Sequence, residues 1–66
     1  MIKKLLIPSD ENELEYVQTI KGKEILHQYK FTKSETKEGM LMTITESELQ
    51  KNIKRGIFIH YNEKTN

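Results

Sequence analysis

TITESELQKNIKRGIFIHY, Thr43–Tyr61, decides how the chain is read. Thr45 followed three residues later by Glu48 is a capping box, in which the hydroxyl accepts an orphan N–H of the first helical turn. Ile44 before the cap and Leu49 after it form a hydrophobic staple. Glu46 and Glu48 sit at the positive end of the helix dipole; Lys51, Lys54 and Arg55 sit near the negative end. Gly56 is a C′ stop. These signals predict a helix near 46–55. Its apolar stripe is only Leu49 and Ile53, too narrow for a free-standing helix, so it must dock on a sheet. Ile57–Tyr61 then reads as a last strand, with Ile57, Ile59 and Tyr61 facing opposite to Phe58 and His60.

Upstream, the apolar period is two. Met40–Thr45 places Met40, Met42 and Ile44 on one face and Leu41, Thr43 and Thr45 on the other. Thr32–Gly39 (TKSETKEG) has no apolar residue and reads as a loop. Glu13–Ile20 alternates, with Leu14, Tyr16, Gln18 and Ile20 sharing one face and Glu13, Glu15, Val17 and Thr19 the other. Glu24–Thr32 alternates as well, with Ile25, His27, Tyr29 and Phe31 on one face. Lys21-Gly22 between these runs predicts a β-hairpin. Ile2–Ile7 (IKKLLI), halted by Pro8, suits a first strand, at an edge or within the sheet.

The chain is therefore expected to be α+β: a small antiparallel β-sheet of four to five strands, order β-β-β-β-α-β, with one short helix near 46–55. The alternative is an SH3-like small barrel, for which a helix of about ten residues before the last strand is long. Sixty-six residues suit one domain, 1–66, with 62–66 as a frayed tail. A chain this short buries about 60% of its unfolded surface, which leaves little material to wall a large pocket.

Composition narrows the function classes. There is no cysteine, hence no disulfide and no thiolate metal site. Leu5-Leu6-Ile7 is too short for a signal peptide, whose apolar segment needs about 7–15 residues. No run approaches the ~18 apolar residues of a membrane span. A cytoplasmic protein without membrane contact is expected. The net charge is +1 with the signs interspersed, and Arg55 is the single arginine against ten lysines. That is a thin electrostatic footprint for nucleic acid.

No catalytic set, cofactor or metal site is expected. His27 and His60 lie on separate alternating runs, whereas a metal needs three or four convergent ligands. His27 is expected partly buried beside Tyr29, with His60 on the other face. Ser9, Ser34 and Ser47 have no neighbouring base, and the three glycines build no phosphate loop. What stands out is consecutive apolar residues, which must face both sides of a strand: Leu5-Leu6-Ile7, Met40-Leu41-Met42 and Ile57-Phe58-Ile59. Met40, Leu41, Met42 and Phe58 are the candidate protein contacts. The expected function is a small non-enzymatic binding or regulatory accessory module, of the kind found among small phage and mobile-element proteins. It would dock on a protein partner or on itself. The alternative is a nucleic-acid-binding β-domain using Lys21 and Lys23 of the hairpin with Lys51, Lys54 and Arg55 of the helix end.

Overall fold

The computed structural model describes residues 2–61; the expected tail, 62–66, lies outside them. Five strands and one helix follow in the expected order: β1 (Lys4–Ile7), β2 (Asn12–Lys21), β3 (Ile25–Lys33), β4 (Leu41–Thr45), α1 (Glu46–Lys54) and β5 (Ile59–Tyr61). All pairings are antiparallel, in the spatial order β4-β3-β2-β1-β5. The first four strands form a meander. The chain then crosses one face as α1 and returns beside β1. β1 is thus an internal strand, and β4 and β5 are the edges. Among the described residues β4 and β5 do not pair, so the sheet is open.

The helix ends as its sequence predicts. Glu48 N–H donates to Thr45 Oγ1 at 3.1 Å. At the other end Gly56 takes a φ of 79°. Its N–H donates to Ile53 O at 3.1 Å, and Ile57 N–H donates to Asn52 O at 2.9 Å. That pair of bonds is the Schellman arrangement, which satisfies the last helical carbonyls. Asn52 O also accepts from Phe58 N–H at 3.1 Å, and this turns the chain back towards the sheet.

The core lies on one face. Leu5, Leu14, Tyr29 and Phe31 from the strands are buried with Leu49 of α1 and with Phe58, and Ile2, Ile7, Tyr16, Met42, Ile44 and Ile53 pack around them. Tyr29 sits at the centre, 1% exposed. Its ring meets that of Tyr16 edge-on at 5.8 Å. Its hydroxyl donates to Ile2 O at 2.9 Å, satisfying the one polar atom this side chain carries inside. Burial, with Tyr16 and Glu46 as lesser contributors, pushes the phenol up to about 12.

One departure concerns β2. Tyr16 pairs with Tyr29, but Gln18 pairs with Gln28, so the register slips by one at Val17. A bulge inserts an unpaired residue and reverses the alternation beyond it. Gln18 and Ile20 therefore lie opposite to Leu14 and Tyr16, and Thr19 moves onto the core face, paired with His27. His60 also departs from expectation. It pairs with Leu5 and so shares the core face with His27. Two intervening strands put at least roughly 14 Å between the two histidines across the sheet, and His27 lies four residues along β3 from Phe31, which shares the row of His60.

The β1–β2 turn holds Glu11 at a φ of 54°, a left-handed conformation that costs an L-residue with a Cβ about 1–2 kcal/mol. Replacing Glu11 with Gly is expected to raise stability by roughly 1 kcal/mol in urea denaturation. Leu5→Ala, which empties a fully buried position on an internal strand, should lower it by about 3 kcal/mol.

Candidate functional site

Three features outside the core compete as sites, and each follows from how the strands are placed. The first is a chain of polar side chains under the start of α1. Tyr16 Oη lies 2.6 Å from Thr19 Oγ1, and Thr19 Oγ1 lies 3.1 Å from His27 Nδ1. His27 Nε2 hydrogen-bonds Glu46 Oε1, and Gln50 Nε2 donates to Glu46 Oε2 at 3.1 Å. A carboxylate only accepts, so Nε2 carries the ring proton and, in the neutral imidazole, Nδ1 accepts from Thr19. Thr19 in turn accepts from Tyr16, and every donor in the chain then has an acceptor. The bond to His27 holds the Glu46 carboxyl below its ordinary value; burial opposes it, and the bond from Gln50 adds a lesser lowering.

The order hydroxyl, imidazole, carboxylate is superficially that of a nucleophilic relay. Here the Thr19 oxygen is shared between Tyr16 and His27, and the three side chains come from β2, β3 and the first turn of α1. The chain fastens the helix to the sheet. Without the bulge at Val17, Thr19 would point away from His27, so this latch exists only because the register slips.

The second feature is a polar groove of about 670 Å³ between the β1–β2 turn and the β3–β4 loop. Asp10, Glu11, Glu35 and Glu38 face it against only Lys33 and Lys37, so the groove is net acidic with cations interspersed. Among the described residues no group of three or more His, Cys, Asp or Glu could hold a metal ion.

The third feature is the β4 edge. Met40 and Leu41 are each 55% exposed. Met42 is half-buried against the core, and Phe58 is a core residue at 7% exposure. Of the four candidate contacts, the structure therefore leaves two with open apolar surface, both at the start of β4. Phe58 is taken inward because Asn52 O turns the chain at that point. Further apolar surface lies where the sequence pattern had not placed it. Leu26 pairs with Ile20, which is exposed, and with Thr45 of β4. All three are on the face that no helix covers.

The basic residues divide. Lys21 and Lys23 belong to the β2–β3 hairpin, whose tip adjoins Glu46 and Ser47 at the start of α1. Lys51, Lys54 and Arg55 occupy the far end of the helix, about 13 Å along its axis. Glu24 follows Lys23 directly in the hairpin, and Glu48 Oε2 lies 3.9 Å from Lys51 Nζ. The five cations do not merge into one patch. No helix among the described residues is long and apolar enough to cross a membrane, which says nothing of membrane β-barrels. Compared with known proteins, the chain matches no family model, no curated protein and no solved structure.

A carboxyl held low in the folded state binds its proton less tightly there than in the unfolded chain. The contribution of Glu46 is thus present above the ordinary glutamate range and lost as pH falls through the lowered value. Glu46→Gln is expected to flatten that part of the acid-unfolding curve while leaving stability near pH 7 close to wild type, because the side chain is half exposed. Denaturant midpoints at pH 7 and across pH 5 to about pH 3 check this.

Proposed function

We propose that the protein is a non-enzymatic accessory module of the cytoplasm that docks on a protein through the β4 edge. One observation carries the reading: β4 is an outer strand of the sheet, and the exposed apolar side chains of Met40 and Leu41 stand at its beginning. Phe31 N–H donates to Met40 O at 2.9 Å. In an antiparallel ladder the inward-bonding residues alternate, so Met42 and Ile44 bond inward to β3. The N–H and C=O of Leu41 and Thr43 point outward. Such a row of groups is a template for an added strand, which gains main-chain hydrogen bonds for affinity and side-chain pockets for specificity.

Native edges are ordinarily blunted by lysine, proline or a bulge. β4, with the sequence LMTIT, carries none of these. Leu41 stands at its outer rim, where an added strand would cover it. The division of the cations between the hairpin and the helix end supports protein contact over nucleic acid.

Affinity capture from the native host, with and without nuclease, tests the reading when wild type is set beside Leu41→Lys. The expected result is a stoichiometric protein that survives nuclease and is lost with Leu41→Lys, while the variant keeps the wild-type unfolding midpoint. Retention of nucleic acid as the main species, or capture indifferent to Leu41, would overturn it.

A further inference from the structure

Resting on that reading of β4 as the docking edge, we infer that the strand it accepts is β4 of a second copy of this chain, paired antiparallel about a two-fold axis through Thr43. The strand is self-complementary in this register. Thr43 meets Thr43, Met42 meets Ile44 of the second copy, and Leu41 meets Thr45, so all five residues of β4 are used. No charged residue opposes another within the ladder. Because Thr43 has its N–H and C=O outward, the axial pair exchanges two hydrogen bonds. An isologous contact of this kind closes on itself and stops at two copies.

The existing side-chain rows continue across the axis. On the uncovered face Gln18 Nε2 donates to Gln28 Oε1 at 2.9 Å, and Gln28 pairs with Thr43. The axis extends this into one polar row running Gln-Gln-Thr-Thr-Gln-Gln. Beside it, Ile20, Leu26 and Thr45 form a row that ends at the β4 edge. Leu41 of the second copy falls at the end of that row, where it covers Thr45 and has its own Lys30 on its other side. On the covered face Met42 and Ile44, both half-buried in a single chain, close over each other's remaining surface. The contact is one strand wide and therefore small, so the dimer is concentration-dependent.

Charge exchange at the axis tests this. Thr43 is exposed in the single chain, so Thr43→Lys and Thr43→Glu should each leave the fold intact. Each places like charges directly opposite one another in the dimer, which is destabilising. Sedimentation equilibrium is expected to show wild type dimerising as concentration rises. Each variant alone should associate more weakly by roughly tenfold or more. An equimolar mixture of the two variants should recover the dimer, since Lys then faces Glu. Equal circular dichroism spectra and unfolding midpoints for the three proteins confirm that folding is unchanged. A dimer indifferent to both substitutions, or variants not rescued by mixing, would overturn the inference. So would a wild type that stays monomeric throughout. A monomeric wild type that still captures a different protein through Leu41 would remove the second copy as partner and leave the docking edge standing.

Discussion

The carbonyl of Asn52 accepts from both Ile57 and Phe58, and the rest of the architecture depends on that turn. It stops α1 after nine residues and reverses the chain at Gly56. It also delivers Phe58 into the core and Ile59 to its place beside Leu6. Gly56 allows this because its φ of 79° lies where a Cβ is unfavourable. A helix one turn longer would carry Phe58 past Leu49 and deny β1 its second neighbour. With the turn in place, β1 is enclosed between β2 and β5. Leu5 becomes fully buried, although it belongs to a strand of only four residues.

A helix of nine residues spans about 13 Å, and five strands spread over roughly 19 Å between the outer axes. One such helix covers part of one face. The core is accordingly one-sided, and apolar residues of the other face, such as Ile20 and Ile59, stay exposed. The latch of His27 to Glu46 adds a directional hold where apolar contact alone is thin. Leu49 is the one buried residue of α1, so a hydrogen bond at the first turn fixes an angle that a single apolar anchor would leave free.

Features that depend on near neighbours in the chain were legible in the sequence. The helix limits, its caps and the β2–β3 hairpin rest on residues within a few positions of one another, and the structure has them where the residue types place them. The bulge at Val17 was not legible. Period-two alternation across Glu13–Ile20 is the same with or without a slipped pair, and only the partner strand shows it. The latch was hidden for a related reason. Nineteen residues separate His27 from Glu46, and Thr19 reaches His27 only beyond the bulge. Whether an apolar strand is internal or an edge is a property of the whole topology. IKKLLI and GMLMTIT look alike in isolation, and the return of β5 beside β1 makes the first internal and leaves the second outermost. The candidate site was therefore half legible: Met40 and Leu41 could be named as two-sided apolar positions, but not placed on an open edge. Phe58 carried the same pattern and lies inside.

β4 has two duties that the fold does not separate. Its outer side is the open edge, and its last residue, Thr45, is the helix cap. Ile44 pairs with His27, whose ring holds Glu46, the first residue of α1. Any strand added along β4 would restrain the backbone at Thr43 and thereby steady both the cap and the latch at its end. A free edge is normally an aggregation hazard. Here its five residues are bounded by the mixed-charge loop Ser34–Gly39 on one side and by the helix start on the other. Those bounds limit an added strand to a short, in-register contact. The same economy that left one face of the sheet uncovered thus leaves one short edge open and determines how much can pair with it.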